Sequence, residues 1–474
     1  MARIVTAGGG IAALTTAMLL GEDGHEVTVL ERDPAVPPSP EAAWDEWKRR
    51  YVAQFRLPHL FVSRFRAEVD RELPGLAAAL DGAGALRFNP LALAPPDAIG
   101  GFRDGDRAYE MLTGRRAVME AVIAAAAQAA PGVGVRRGVE VAGLVTGDPA
   151  DPAPGGVPRV TGVRTADGEE IGADLVVDAT GRRSPLGRWL ADCGAAPPAE
   201  ELEDSGFVYY GRHFRSADGS VPPMLGPAVQ DYGTVSSLTL PADHGTWSVV
   251  IVASAADTAL GGLGQAGAWT AVVKALPLVA HWVDAEPVED HIVTIARIED
   301  RHRSLVVAGR PVATGVTGLA DAWGCTNPSL GRGISIGVLH GRVLRDTLRR
   351  SDPADAARFA ADFHAATMST VEPWYRSTVR FDRHRLGEIG AQIRGEAYEP
   401  GDPWWDDVRG LQLAAGQDPD CLRASLDVVN VLRTPDEVLA DPVIAGRARG
   451  AFAAPTDAPA FGPSRAELVA MAHS

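Results

Sequence analysis

Apolar and polar residues at the start of the chain follow the pattern of a β-α-β unit. Residues 3–7 and residues 26–30 are short apolar runs, which are typical of buried strands. Between them, residues 10–23 carry apolar side chains at helical spacing. The pattern therefore predicts a strand, a crossover helix and a second strand, as at the start of a nucleotide-binding domain.

Helical spacing dominates residues 41–80, with breaks at Pro58 and Pro74, and returns as one predicted helix over residues 109–130. The segments after this helix show strand-like alternation or short apolar runs. They are residues 133–145, 159–165 and 169–171, predicted to form a small meander, and residues 173–179, predicted to form a buried strand.

The second half of the chain contains a predicted antiparallel sheet followed by helices. Residues 266–276 have helical spacing and are predicted to form one helix within the sheet region. From residue 333 onward the pattern is mainly helical with a break at 395–403, and the Pro- and Ala-rich tail after residue 453 is predicted to be irregular. The predicted strands of the sheet are residues 207–214, 235–240, 246–253 and 291–298.

The composition indicates a folded protein with more than one structural region. The chain has 474 residues, which exceeds the usual size of a single hydrophobic core. Its net charge of -16 argues against binding to nucleic acid, because phosphate contacts need clustered cations. The sequence contains no apolar run long enough to cross a bilayer, so no transmembrane segment is expected.

The cysteines predict neither a disulfide framework nor a metal site. There are three of them, an odd number, and no two form a C-x-x-C pair. We therefore expect the protein in the reducing cytoplasm, without a bound metal. The three residues are Cys193, Cys325 and Cys421.

A glycine turn joins the first predicted strand to the first helix. In Gly8-x-Gly10-x-x-Ala13, backbone N–H groups can approach a diphosphate at the positive end of the helix dipole. Glu31 ends the second strand about twenty residues later, where its carboxylate is placed to accept hydrogen bonds from a ribose hydroxyl. The motif by itself is compatible with NAD or FAD. The predicted cofactor-binding residues of this segment are Gly8, Gly9, Gly10, Ile11, Ala12, Ala13, Glu31 and Arg32.

A second loop has the residue types that a ribityl chain and a flavin ring require. Residues 312–319 form a run of small and β-branched residues that leads to Asp321, whose carboxylate is predicted to hold a ribityl hydroxyl. Pro328, Gly331 and Gly333 then precede an apolar helical stretch, so a helix N-terminus is predicted to point at the electron-rich edge of the isoalloxazine. The two loops together indicate the two ends of one FAD.

On these motifs the chain resembles the para-hydroxybenzoate-hydroxylase-like superfamily of FAD enzymes. Ala320-Asp321 resembles the superfamily's Gly-Asp pair, and residues 328–333 resemble its flavin loop. Residues 178–185 resemble its middle motif, Asp-Gly-x-x-Ser, but Thr180 stands where that motif has an aspartate. The resemblance implies further cofactor-binding residues, which are Arg116, Val141, Thr180 and Gly181.

The resemblance implies an α/β fold, α+β overall, in which an antiparallel substrate-binding sheet interrupts a Rossmann-type FAD-binding domain. A C-terminal helical region is expected to follow. The expected boundaries are residues 1–80, 105–185 and 300–345 for the FAD-binding domain, 81–104 and 186–299 for the substrate-binding sheet, and 346–474 for the helical region.

Within the superfamily, the chain resembles bacterial FAD epoxidases of polyketide chains and geranylgeranyl-reductase-like enzymes. The stretches that carry this resemblance are residues 54–59, 173–184, 204–209, 212–215 and 326–335. The resemblance implies a monooxygenase whose reduced flavin captures O2 as a C4a-hydroperoxide and then epoxidises or hydroxylates an apolar biosynthetic small molecule. NAD(P)H is the expected electron donor. Because Thr180 departs from a motif associated with NADPH, the electrons are expected either directly from NAD(P)H or through a separate flavin reductase.

Candidate catalytic residues are Asn327 in the flavin loop, and Arg56 and His59 in a segment that either covers the flavin or forms a surface break between helices. Neighbouring residues of the predicted strand 207–214 point to opposite faces of the sheet. One of these faces is expected to line a pocket, and the pattern leaves open which one. The predicted substrate-binding residues are Tyr209, Tyr210, Arg212 and Trp247.

Other functions remain open on the same fold. One is a reductase or dehydrogenase of isoprenoid double bonds, and another is a flavin-binding protein without catalytic activity. A flavin halogenase is disfavoured, because the sequence lacks a Trp-x-Trp-x-Ile-Pro segment and its only lysines are Lys48 and Lys274.

Overall fold

Strands and helices alternate along most of the chain. The computed structural model describes residues 1–52, 54–147, 156–328, 331–453 and 461–473. The strands are β1 (Arg3–Ala7), β2 (Glu26–Glu31), β3 (Pro58–Phe61), β4 (Leu86–Phe88), β5 (Met111–Arg115), β6 (Val133–Arg137), β7 (Val141–Thr146), β8 (Val160–Thr165), β9 (Glu170–Gly172), β10 (Leu175–Asp178), β11 (Ala199–Asp204), β12 (Phe207–Arg215), β13 (Val229–Tyr232), β14 (Val235–Ala242), β15 (Thr246–Ser254), β16 (Glu286–Pro287), β17 (Val293–Ile295), β18 (Glu299–Ser304), β19 (Val306–Val307), β20 (Arg310–Pro311), β21 (Val316–Gly318) and β22 (Gly324–Cys325).

Helices flank the strands and dominate the C-terminal part. Short 3-10 helices occur at Asp104–Tyr109, Asp243–Gly245, Thr258–Gly264, Ala280–Val283 and Ala320–Ala322. The α-helices are α1 (Ile11–Glu22), α2 (Pro40–Glu46), α3 (Ser63–Glu72), α4 (Pro74–Gly82), α5 (Pro90–Leu93), α6 (Pro96–Ile99), α7 (Arg116–Ala129), α8 (Leu186–Asp192), α9 (Ala266–Ala275), α10 (Gly333–Leu348), α11 (Ala356–Thr370), α12 (Glu372–Arg394), α13 (Pro403–Ala415), α14 (Pro419–Val429), α15 (Pro435–Leu439), α16 (Pro442–Ala453) and α17 (Arg465–Ala472).

A parallel sheet of five strands, counted over the described residues, forms the centre of the fold in the order β21-β10-β1-β2-β6. Its central strands are mainly apolar because both faces of the sheet are covered. On one face Ile4 and Val177 pack against helices α1, α7 and α10. On the other face Val5 and Val176 pack against α8 and the meander β7-β8-β9. This is the predicted Rossmann-type architecture.

An antiparallel sheet in the order β13-β14-β15-β12-β16 is inserted in the chain between β10 and β21. One face packs on α9 and α17 through a core that includes Trp247, Trp269 and Leu468. Phe207 and Tyr209 lie on the opposite face, beside Leu57 and Ile389. The predicted interruption of an α/β domain by an antiparallel sheet, followed by C-terminal helices, is therefore confirmed.

Four elements differ from the sequence-based expectation. Residues 58–61 and 111–115 lie in regions predicted to be helical, but they form antiparallel strands, β3 and β5, that pair with each other. Residues 133–137 do not belong to the meander but add to the parallel sheet as β6. Residues 465–472, predicted to be irregular, form helix α17, because Leu468 and Ala472 find an apolar surface on the inserted sheet.

Among the described residues, no helix combines the length and the apolar character that a bilayer span requires.

Candidate cofactor and substrate site

The turn between β1 and α1 contains three glycines, of which the first lies against neighbouring backbone. Gly8 has a φ of +101°, and a Cβ added there would lie 2.5 Å from the carbonyl oxygen of Ala179. A Cβ on Gly10, by contrast, would meet nothing within 4 Å. Gly10 lies immediately before helix α1 and lines a large cavity. The turn therefore exposes a helix N-terminus to that cavity, as anion binding requires.

Both carboxylate oxygens of Glu31, at the end of β2, accept hydrogen bonds. Its Oε2 accepts a hydrogen bond of 3.0 Å from the Gly9 N–H and lies 2.5 Å from Nη2 of Arg49, while Oε1 accepts from the Asp33 N–H. Because a carboxylate has about four acceptor positions, Glu31 retains capacity for a ribose hydroxyl. Arg32 stacks on Tyr51 and lines the cavity beside it.

A buried network of alternating charges extends from Glu31 through Arg49 and Glu120 to Arg116. Arg49 Nη1 lies 2.7 Å from Glu120 Oε2, and Arg116 Nε lies 2.5 Å from Glu120 Oε1. Although burial opposes it, the charge of the two arginines lowers the pKa of Glu120 to about 2. Sequence reasoning missed Arg49 and Glu120, because neither belongs to a local motif.

His59, a candidate catalytic residue, contacts the end of this network. Its Nδ1 lies 3.1 Å from the Leu57 carbonyl and its Nε2 lies 2.9 Å from Arg116 Nη1. Since a carbonyl only accepts and a guanidinium only donates, the ring is the neutral tautomer with its hydrogen on Nδ1. Burial, then the charge of Arg116, lowers the pKa of His59 to about 3. His59 lines the cavity and orients Arg116.

Arg56 is not brought to the cavity. Its guanidinium donates to the carbonyls of Trp44 and Trp47 and stacks on the Trp44 ring. These contacts hold the segment after α2 in place. They do not support the predicted catalytic role for Arg56, which is absent from the cavity lining.

The middle motif folds around the carboxylate of Asp178, at the end of β10. Asp178 Oδ1 accepts hydrogen bonds from the N–H and the hydroxyl of Thr180, and Oδ2 accepts from the hydroxyl of Ser184. Burial raises the pKa of Asp178. Thr180 and Gly181 line the cavity, and Val141 lines it further along.

The second loop meets the same cavity from the far side. Asp321 follows the buried strand β21, and Gly331 and Gly333 lie directly at the start of helix α10. All three, with Pro328, line the cavity, and a Cβ on Gly333 would meet nothing within 4 Å. Residues 329–330 of this loop lie outside the described residues. The structure thus brings the two predicted cofactor loops to one cleft.

Ala320, where the superfamily has glycine, adopts a left-handed backbone with a φ of 51°. An alanine in this region costs about 1–2 kcal/mol. We expect Ala320→Gly to raise the free energy of unfolding by about 1 kcal/mol, measured by urea denaturation. The same change at Ala125, exposed in α7, is expected to lower it by about 1 kcal/mol. If Ala320→Gly and Ala125→Gly lowered the free energy of unfolding equally, the backbone of Ala320 would not be strained.

His340 of α10 joins this loop to helix α11. Its Nδ1 accepts a hydrogen bond of 3.1 Å from the Ala320 N–H, and its Nε2 lies 3.2 Å from the hydroxyl of Thr367. Burial of the ring lowers the pKa of His340 from 6.5 to about 3. The folded protein therefore holds His340 neutral, whereas the unfolded chain takes up a proton below pH 6.5.

Because only the unfolded chain takes up this proton, we expect the free energy of unfolding to decrease at acidic pH. Stability from His340 is complete above pH 6.5 and is lost as the pH falls toward 3, by about 1.4 kcal/mol per pH unit. Urea denaturation at several pH values is expected to give a shallower pH dependence for His340→Gln than for the unchanged protein. Identical slopes would contradict a neutral buried His340.

The cavity between the two loops has a volume of about 1460 Å³. Typical small-molecule sites occupy roughly 300–1,000 Å³, so there is room for a cofactor and a second molecule. Beyond the loops, one face of the antiparallel sheet forms an apolar wall. The wall consists of Phe207, Tyr209, Leu238, Leu240, Val250 and Val252.

Tyr209 lies on this wall, but the other three predicted substrate-binding residues do not line the cavity. Tyr210 and Trp247 belong to the core beneath α9, and Trp247 Nε1 donates to the Trp282 carbonyl. Arg212 donates to the Glu289 carbonyl. The strand places alternate residues on opposite faces, and α9 with α17 covers the face of Tyr210 and Arg212. The geometry therefore contradicts a cavity position for these three residues.

Asn327, predicted as catalytic, lies where the flavin loop meets the apolar wall. Its side-chain oxygen accepts a hydrogen bond from the Tyr209 hydroxyl, and its backbone N–H donates to Asp300 at 2.7 Å. Burial raises the pKa of Asp300 to about 6. Sequence reasoning missed Asp300, which lies on the short strand β18.

The C-terminal helices close the cavity opposite the sheet, a role that sequence reasoning did not predict. Helix α12 contributes Asp382, Arg385 and Ile389, and α13 and α14 contribute further lining residues. Several apolar side chains that line the cavity are exposed, which favours an apolar ligand. The exposed apolar residues that line the cavity are Leu93, Leu225, Val229, Leu413 and Val429.

Comparison with solved structures shows that the chain shares its fold with proteins to which it has low sequence identity. The Diels-Alderase PyrE3 of pyrroindomycin biosynthesis is similar with a TM-score of 0.59 and 16% identity, over 91% of this chain and 81% of PyrE3. PqsL from Pseudomonas aeruginosa, described as a probable FAD-dependent monooxygenase, is similar with a TM-score of 0.60 and 15% identity, over 83% of this chain and 98% of PqsL.

In sequence, the chain is 27% identical over 422 residues to Protein Rv3254 of Mycobacterium tuberculosis strain H37Rv. The alignment covers 85% of this chain and 82% of that protein. No protein-family model matches the chain.

Proposed function

We propose that this protein is an FAD-dependent monooxygenase that epoxidises or hydroxylates an apolar small molecule. The observation that carries the proposal is the continuity of one cavity. It runs from the glycine turn before α1, past Asp321 and the loop before α10, to the apolar wall of the antiparallel sheet. A dinucleotide and a second molecule fit this arrangement, since each loop offers a helix N-terminus and the wall offers apolar contact.

The chain offers a matching group for each part of FAD. The turn at Gly8–Gly10 is suited to the diphosphate, and Glu31 to the ribose. Asp321 is suited to a ribityl hydroxyl. The N-terminus of α10 at Gly333 is suited to the negative charge of a reduced flavin ring, because the helix dipole is positive at that end.

When bound and reduced, FAD would supply two electrons to O2, so that one oxygen atom passes to the substrate and the other leaves as water. The protein's part is to orient the substrate and to keep water away from the reacting atoms. Phe207, Val250 and Val252 provide the apolar surface for both tasks. No additional acid or base is required for the transfer itself, which agrees with a wall that is mainly apolar.

Stopped-flow absorbance after anaerobic reduction tests the proposal. Photoreduced protein loaded with FAD is mixed with buffer that contains 18O2. Flavin reoxidation is followed with and without candidate apolar compounds, and the products are then analysed for 18O. We expect reoxidation to consume O2 and to place one 18O atom in a product. Product formed by reduced protein without O2 would instead favour a reductase of isoprenoid-like double bonds.

A third arm uses oxidised FAD without O2, because PyrE3, which shares the fold, is described as a Diels-Alderase. Turnover in this arm alone would replace the oxygenase proposal with a reaction that transfers no electrons. A flavin halogenase is disfavoured, since neither Lys48 nor Lys274 lines the cavity. A protein that binds FAD but turns over in none of the arms would be a non-catalytic flavin-binding protein.

The source of electrons forms a second part of the proposal. We expect a separate flavin reductase or free reduced FAD to supply them, because Thr180 replaces the motif's aspartate and its hydroxyl is bound to Asp178. Anaerobic mixing of FAD-loaded protein with NADPH is expected to give slow flavin reduction that a flavin reductase accelerates. Rapid reduction by NADPH alone would contradict this part.

A further inference from the structure

A single carboxyl group on helix α12 interrupts the apolar region of the cavity near the flavin loop. Asp382 is 2% exposed, and it lines the cavity. Neither of its oxygens has a hydrogen bond of good geometry among the described residues. A buried carboxyl group without hydrogen bonds is costly to fold, so its position calls for a ligand that satisfies it.

The surroundings of Asp382 define the charge of that ligand. Burial, and after it the nearby Asp300 carboxyl, raises the pKa of Asp382. The guanidinium of Arg332 and the side chain of Asn327 act in the opposite direction. Arg332 is itself buried and lines the cavity, so a positive charge remains close to Asp382.

We propose that Asp382 anchors a hydroxyl group of the substrate, which would be an apolar molecule carrying an alcohol, enol or phenol oxygen. This inference rests on the proposed function, because it assigns the substrate class of the same cavity. Asp382 and Asn327 of the flavin loop both line the cavity, and the side-chain oxygen of Asn327 also accepts a hydrogen bond from Tyr209 of the apolar wall. The hydroxyl would therefore be held between the wall and the loop, with the apolar body along the sheet.

A neutral hydroxyl group suits this position better than a charged group. An ammonium ion would lie near the buried guanidinium of Arg332, and a carboxylate would lie near the carboxyl group of Asp382 itself. A hydroxyl group can donate to Asp382 when the carboxyl group is charged, and can both donate and accept when it is neutral. Its recognition does not depend on the protonation state of Asp382.

The same cavity contains a carboxylate that serves as a control. Asp231 on β13 lines the cavity but is bound to Arg385 at 2.6 Å and is partly exposed to solvent. Its charge is already paired with arginine, and solvent competes for its oxygens. Asp231→Asn is therefore expected to leave hydroxyl recognition unchanged, in contrast to Asp382→Leu, which removes the anchor at similar volume.

The experiment compares 2-naphthol, 2-methoxynaphthalene and 2-naphthoate as probes, by calorimetric titration of FAD-loaded oxidised protein. No reduction or oxygen is involved. We expect 2-naphthol to bind about 10-fold more tightly than its methyl ether, which cannot donate a hydrogen bond. Asp382→Leu is expected to bring this ratio close to one, while Asp231→Asn keeps it.

The unchanged protein also tests the proposal without any substitution. Tighter binding of 2-naphthoate than of 2-naphthol would overturn it, because Arg332 would then determine the ligand class. Equal ratios in the unchanged protein and in a folded Asp382→Leu variant, or no binding of 2-naphthol, would also overturn it. Flavin absorbance measures FAD loading beforehand, so failure to bind FAD contradicts the proposed function and is distinguished from failure of hydroxyl recognition.

Discussion

Replacing Gly10 by valine is expected to abolish FAD binding without unfolding the protein. A Cβ at Gly10 would meet no protein atom within 4 Å, and the backbone there has a φ of -81° and a ψ of 177°, which valine adopts readily. The added methyl groups would project into the cavity at the N-terminus of α1. They would occupy the space that we assign to the diphosphate.

We expect Gly10→Val to weaken FAD binding by more than about 100-fold, since several charge-assisted hydrogen bonds are lost together. Calorimetric titration measures the affinity, and thermal unfolding without FAD measures the fold. Gly267→Val is a matched control, because a Cβ at Gly267 also meets nothing within 4 Å but lies at an exposed position of helix α9. Unchanged FAD affinity in Gly10→Val would contradict the assigned diphosphate position.

Replacing Glu120 by glutamine is expected to destabilise the protein by about 3–5 kcal/mol, because it removes the buried counter-charge that Arg49 and Arg116 share. Glu120 is 2% exposed and contacts both Arg49 and Arg116. Its pKa is lowered from 4.5 to about 2, so its contribution is present above pH 4.5 and is lost as the pH falls toward 2.

Urea denaturation at neutral pH measures this loss. Glu169→Gln is the matched control, because Glu169 pairs with Arg136 through side chains that are both more than one third exposed. Exposed pairs contribute about 0–1 kcal/mol. A loss of similar size from both substitutions would show that the Arg49–Glu120–Arg116 contacts are not the buried charge network described above.

Local patterns were sufficient for the β-α-β unit and for the antiparallel sheet. Apolar runs of strand length and the glycine turn after β1 are visible within a few residues. Strands β3 and β5 were not predicted, because Pro58 and Gly114 lie in segments of helical composition. Their structure depends on pairing between residues 58–61 and 111–115, which no local periodicity records.

For the candidate site too, only some of the residues could be predicted from local sequence patterns. The two cofactor loops were predicted because glycine, proline and aspartate have backbone or charge requirements that appear in the sequence itself. Asp382 was not predicted, since its proximity to Asn327 arises only when helix α12 folds back over the cavity. Tyr210 was assigned to the ligand because the strand is aromatic on both faces, and only the packing of α9 and α17 identifies its face as core.

Calorimetric titration of the FAD-free protein with FAD and FMN tests the central claim most directly. The claim is that one cavity holds both ends of a flavin dinucleotide, from the turn at Gly8–Gly10 to the start of α10 at Gly333. We predict one FAD per chain, bound more than about 100-fold more tightly than FMN, which lacks the diphosphate and adenosine contacts. Binding of FMN as tight as that of FAD, or no binding of FAD, would contradict the account.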